Sequence, residues 1–120
     1  MDGMRTCGSL EFGILQGAVT QMTTYKYDAD RLEGEKVIQV MQDQFKKFPN
    51  LTAIDLFGKV IGLAETPDFL TNLDSLLEDV DLQILFFQSG KQIREISEIK
   101  NLVNSNGDMT VLVEFCYEIE

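Results

Sequence analysis

Few residues in this chain could carry chemistry. Gln88-Ser89-Gly90-Lys91 would offer an anion a hydroxyl, backbone N–H groups and an ammonium, provided that a helix begins there and adds the positive end of its dipole. The triplet Ser-Gly-Lys lacks the longer glycine loop of a nucleotide-binding P-loop, and Ser89 as a plain helix cap accounts for the same residues. A second cluster, Asp74, Glu78, Asp79 and Asp81, places carboxylates where no lysine or arginine intervenes between Lys59 and Lys91. It reads as a docking surface for a basic partner or a weak divalent-cation site, set against the plainer reading of a solvated acidic face. Its spacing is not that of a calcium loop, since the central glycine of an EF-hand run is missing.

Other chemistry is excluded by composition. Histidine is absent, which removes Ser-His and Cys-His nucleophile pairs and imidazole acids or bases. The two cysteines, Cys7 and Cys116, are too few for an all-thiolate zinc site. Both are expected to be free thiols, as in a reducing cytoplasm, although domain termini often lie close enough for one bridge. Cys116 falls between Glu114 and Glu118 on the polar side of its strand, where neighbouring carboxylates make a poor nucleophile of a thiol. No carboxylate pair stands out as a catalytic dyad, so a non-enzymatic protein without a cofactor is the expectation. Tyr25 and Tyr27 could form a contact patch, but cross-strand packing is the default role for such residues.

The charge is unevenly spread. Residues 1–60 hold eight acids and seven bases, while residues 61–120 hold twelve acids and three bases, which together give the net charge of −10. A surface of that kind repels nucleic-acid phosphates and anionic membranes, so the expected partner is another protein with a basic surface. No apolar run approaches the roughly 18 residues of a membrane span, and the N-terminal residues have neither the basic nor the apolar region of a secretion signal. The chain reads as a single globular domain over residues 1–120, cytoplasmic and acting through its acidic second half.

The elements that must position these groups follow from periodicity. Residues 9–27 read as a β-hairpin with a tight turn at Gln16-Gly17, and Gly13 inside the first arm marks a bulge or a close backbone approach. Asp30 and Glu33 form a capping-box pattern for a helix to residue 48, with Val37, Ile38, Met41, Phe45 and Phe48 on one face and Pro49 as its stop. Thr66-Pro67-Asp68 starts a helix over 67–80. Residues 82–88 are apolar on both sides, Leu82, Ile84 and Phe86 on one and Leu85 and Phe87 on the other, so this strand lies inside a sheet and must be covered on both faces. Ser89 and Gln92 then cap a helix over 90–103, and residues 109–119 alternate as a half-buried strand, with Val111, Val113 and Phe115 inward and Leu112, Glu114 and Cys116 on the other face. Strand, helix and strand over 82–119 imply a βαβ unit with parallel strands. Were that last strand at an edge, outward Leu112 and Cys116 would allow a homodimer.

Residues 51–65 admit two readings. As a helix, Thr52 and Asp55 form a capping box and Leu51 and Leu56 a staple, but Gly58 and Gly62 would cost about 2 kcal/mol in a helix interior. As a strand near Leu51–Phe57 with a glycine turn after it, the segment restores alternation of strand and helix, and that architectural argument favours the strand. The resulting fold class is α/β or α+β: a single-layer mixed sheet, built from the N-terminal hairpin and the C-terminal βαβ unit, packed with three or four helices.

The order hairpin, helix, Leu51-Thr-Ala-Ile-Asp-Leu56 strand, helix, Asp81-Leu-Gln-Ile-Leu-Phe-Phe87 strand and Ile93-Arg-Glu-Ile96 helix resembles the STAS (anti-sigma-factor antagonist) domain over about residues 10–100. That resemblance implies a partner-binding switch, often phosphorylated on a serine at the start of the helix after the middle strand. Here Gly62-Leu63-Ala64-Glu65-Thr66 has no serine, Thr66 is its only hydroxyl, and the final strand extends past the pattern.

Overall fold

The structure is a computed structural model that describes residues 4–26, 32–65, 69 and 80–119. Among them the chain forms a five-stranded antiparallel sheet and three helices: β1 Met4–Leu15, β2 Ala18–Lys26, α1 Leu32–Lys46, α2 Ala53–Phe57, β3 Asp81–Gln88, β4 Lys91–Ile93, α3 Ile96–Asn104 and β5 Met109–Ile119. The strand order is β2-β1-β5-β3-β4. None of the described helices is long and apolar enough to cross a membrane.

The N-terminal hairpin forms as its turn residues require. Gln16 and Gly17 both take positive φ, 51° and 82°, the pair of left-handed residues that a two-residue hairpin turn needs. The register slips between Gly13 and Ile14, so the bulge falls at the glycine, and the Thr20 hydroxyl donates to the Gly13 carbonyl at 2.9 Å. Leu10, Phe12 and Ile14 then point into the core, and Cys7, Ser9, Glu11 and Gly13 take the opposite face.

Three expectations are corrected by the second half of the chain. The sheet is antiparallel throughout rather than mixed, because no simple crossover joins 82–88 to 109–119. After β3 the chain turns back at Ser89 (φ 51°) and Gly90 (φ 78°), a second two-residue hairpin turn, and pairs as β4 through Phe86↔Ile93 and Gln88↔Lys91. That reversal happens before α3, so β5 returns antiparallel to β3, from Phe87↔Thr110 to Asp81↔Cys116. Ser89 is therefore a turn residue and not a helix cap, and α3 begins seven residues later at Ile96. Finally, β5 is no edge strand: it lies between β1 and β3, which removes the outward edge on which a homodimer was argued.

Residues 53–57 are helix, not strand. Thr52 and Asp55 complete the capping box in both directions, with Asp55 N–H donating to Thr52 Oγ1 at 3.1 Å and Thr52 N–H donating to Asp55 Oδ2 at 3.2 Å. The helix is only five residues long, so neither glycine sits in its interior and the expected cost is never incurred. Gly58 is the C-cap, and Leu63 and Ala64 both donate to its carbonyl. The Ala64 methyl occupies the place where a side chain on residue 58 would start. Of the helix expected over 67–80 the described residues are Phe69, which is helical and buried, and Val80, which precedes β3 outside any helix; the rest lies outside the described residues.

One core joins these pieces. Leu10, Phe12 and Ile14 of β1, Val111, Val113 and Phe115 of β5 and Phe86 of β3 meet Val37, Ile38 and Met41 of α1, Leu56 and Phe57 of α2, and Ile99 and Val103 of α3. Phe12 is its hub, with ring centroids 6.1 Å from Phe45, 6.2 Å from Phe57 and 6.0 Å from Phe69. Outer strand β2 is covered at its start by the segment before α2, where Val19 N–H donates to the Leu51 carbonyl and Ala53 N–H to the Gly17 carbonyl, each at 2.9 Å.

The first and last strands are neighbours at the centre of the sheet, paired from Met4↔Ile119 to Ile14↔Met109. Within that ladder Cys7 faces Cys116, and the two form a disulfide, contrary to the expectation of free thiols. Directly opposed residues on antiparallel strands are close enough for a bridge, and here the Cα atoms are 4.2 Å apart. The bridge closes a loop over a sequence separation of 109, for which chain entropy gives roughly 4–5 kcal/mol of stabilisation. Reduction, or the Cys7→Ser/Cys116→Ser pair, should lower the melting temperature by an amount equivalent to roughly 2–5 kcal/mol. Calorimetry with and without a reductant checks this, and a melt indifferent to reductant would mean that the bridge does not form.

Candidate functional site

The strands that bury one set of side chains expose the other. On the face of the sheet away from the core, register aligns Tyr25 of β2, Ser9 of β1, Glu114 of β5 and Gln83 of β3 in one row. The next row holds Thr23, Glu11, Leu112 and Leu85, and the one after it Gln21, Gly13, Thr110, Phe87 and Gln92. Ser9, the small side chain in the first row, is buried, whereas Leu85, Phe87, Leu112, Glu11 and Glu114 are half-buried. The strand that the sequence marks as apolar on both sides is thus packed on its Phe86 face and partly exposed on its Leu85 and Phe87 face.

Around the Leu85–Leu112 pair the charged strand positions on this face are acids, Glu11 and Glu114, while Arg5 of β1 falls on the same face three rows away, opposite Glu118. The Tyr25 hydroxyl donates to Glu11 Oε2 at 3.1 Å across the β1–β2 pair. That hydrogen bond, with the charge of the same carboxylate behind it, holds the Tyr25 phenol above its ordinary value.

Two adjoining hollows cut into this face and share Thr110. The smaller, about 330 Å³, is lined by Glu11, Phe87, Gly90, Thr110 and Leu112. The larger, about 580 Å³, opens at the end of the sheet where both hairpin turns and the loop before β5 converge, with Gly13, Thr20, Gln21, Gln88, Ser89 and Asp108 among its walls. Asp108 ties two of those loops together by accepting from the Gln16 N–H at 3.0 Å.

The sequence-derived candidates are dispersed by this arrangement. Gln88 and Ser89 line the larger hollow and Gly90 the smaller, while exposed Lys91 pairs with Gln88 in β4 and lines neither. No helix begins at Ser89, so the dipole and the free N–H groups on which anion binding rested are not there. Of the acidic cluster, Asp74, Glu78 and Asp79 lie outside the described residues, and Asp81 is exposed at the start of β3, opposite Cys116. Among the described residues no group of three or more Cys, Asp or Glu could hold a metal ion. Glu11, Leu85, Phe87, Leu112 and Glu114 were not singled out as a site by sequence, although alternation already placed Leu112 and Glu114 together and Leu85 with Phe87.

No protein-family model, curated protein or solved structure matches this chain. The STAS resemblance depended on a strand at Leu51–Leu56, and the helix α2 stands there instead.

Because the Tyr25–Glu11 contact requires the protonated phenol, its contribution is present below the ordinary tyrosine pKa and is lost as pH rises through the raised one. Glu11→Gln should bring the Tyr25 titration back toward the ordinary value. Phenolate absorbance, with Tyr25→Phe as the difference reference, checks the shift.

Proposed function

We propose that this protein is a non-enzymatic, regulatory module that binds a basic protein partner on the second face of its sheet. The sheet is a single layer in this reading, with its helices on one side and the docking surface on the other. The observation that carries the proposal is the grouping of Leu85, Leu112 and Phe87 with Glu11 and Glu114, the charged strand positions nearest to them on this face. A half-buried apolar patch flanked by acids favours partners that bring apolar anchors and positive charge. The acid excess of residues 61–120 supports the same reading, since it steers basic proteins toward the chain at long range and repels nucleic acid and anionic membranes. The expected cytoplasmic setting belongs to this proposal, and there the Cys7–Cys116 bridge would face a reducing pool.

A second reading draws on the larger hollow. Its amide and hydroxyl groups, with Asp108 as the one carboxylate among the described lining residues, favour a neutral polar ligand over a phosphate. A rise in melting temperature with a small polyol or amide, lost in Gln88→Ala, would favour it.

The docking proposal is tested with a photo-reactive amino acid placed at Leu85 or, as a control on the other side of the molecule, at exposed Lys59. Cross-linked products enriched in basic proteins are expected from position 85 and not from position 59, and Glu11→Lys with Glu114→Lys should reduce their yield at least about tenfold while the thermal melt is retained. Equal yields from both positions would contradict the proposal.

A further inference from the structure

Given a docking face between Glu11 and Phe87, an inference that rests on the preceding proposal, the occupant's secondary structure is set by what the sheet's backbone can still offer. β1 and β5 are paired on both sides, and β3 is paired to β5 along its length and to β4 at Phe86–Gln88. Their N–H and C=O groups lie in the plane of the sheet and are largely spent on neighbouring strands. An extended peptide laid on this face would meet only side chains and would leave its own backbone groups without partners. A helix satisfies its backbone internally and needs nothing from the sheet but a complementary surface.

The dimensions agree. Leu112 and Leu85 are directly opposed on β5 and β3, Phe87 lies next along β3, and Glu11 faces Leu112 from β1. At about 4.8 Å between strands, this patch spans about 10 Å across, the width of one α-helix with its side chains. The smaller hollow, between Phe87, Leu112 and Glu11, is concave enough to take an anchoring side chain. Acids flank the patch on two sides, Glu11 across the strands and Glu114 along β5. We infer that this face receives an amphipathic helix whose apolar stripe seats on Leu85, Phe87 and Leu112 and whose flanking lysines or arginines meet Glu11 and Glu114.

A synthetic probe tests this: a peptide of about five helical turns, roughly 18 residues, with a leucine stripe at helical spacing flanked by lysine and arginine. Two controls have the same length and charge, one with scrambled order and one with prolines at its centre. Amide chemical-shift mapping on the full chain is combined with peptide anisotropy at physiological salt. The expected result is perturbation centred on Leu85, Phe87 and Leu112, with both controls, and Glu11→Lys with Glu114→Lys, at least about tenfold weaker. Leu112→Asp should weaken binding similarly; because it could unfold the chain, the surface variants carry the test if it does. Equal binding of the scrambled peptide would reduce the effect to charge alone and overturn the inference. If the proline peptide binds the same residues as tightly, the docking face stands and the helical occupant falls. If no peptide moves these resonances, both fall.

Discussion

Everything in this fold depends on the antiparallel ladder between the first and the last strand. β1 and β5 are separated by almost the whole chain, yet they run side by side at the centre of the sheet, from Met4↔Ile119 to Ile14↔Met109. Without that pair the N-terminal hairpin that carries Phe12 is not joined to the rest of the sheet, and β3 has no strand to pair with. Closing so long a loop carries an entropic cost, and contacts of such large sequence separation are those of a slowly folding topology. The Cys7–Cys116 bridge acts on the same ladder and secures it where the two strands near the chain ends meet.

The ladder also creates the candidate site. By placing β5 between β1 and β3, it brings Glu11, Leu112 and Leu85 into one row on the side away from the core, although they lie far apart in sequence. Alternation along each strand makes this unavoidable: if Val111, Val113 and Phe115 are to be buried, Thr110, Leu112, Glu114 and Cys116 must share the other face. Core and candidate site are thus two readings of the same pleat. A slip of one residue in the register would exchange them.

Local features were legible in the sequence wherever one residue type had a single good use. The Gln16-Gly17 turn, the bulge at Gly13, the buried stripe of α1 and the alternation of β5 all follow from short-range chemistry. The errors share a cause, since each needed information about what came next. Ser89 and Gln92 have the spacing of a helix cap, but Ser89-Gly90 also suits a left-handed turn, and only pairing with β3 decides between them. Thr52 and Asp55 formed the capping box that the sequence allowed, and the glycine argument against it failed because a five-residue helix ends before Gly58 could do harm. Strand order is where single-sequence reasoning stops: alternation said which residues share a face of β5, and nothing local said that β1 and β3 flank it. Half of the site was therefore legible, Leu112 with Glu114 and Leu85 with Phe87, without the adjacency that joins them to Glu11.

Docking on the second face of the sheet requires that half-buried Leu85 and Leu112 stay within reach of solvent. Methyl relaxation in the presence of a soluble paramagnetic agent measures that reach. Strong broadening of the Leu85 and Leu112 methyls is expected, with little at Leu10 and Val113, which face the core on neighbouring positions of the same sheet. Equal protection of all four would mean that the face is already covered, and that neither a partner nor a helix could dock there.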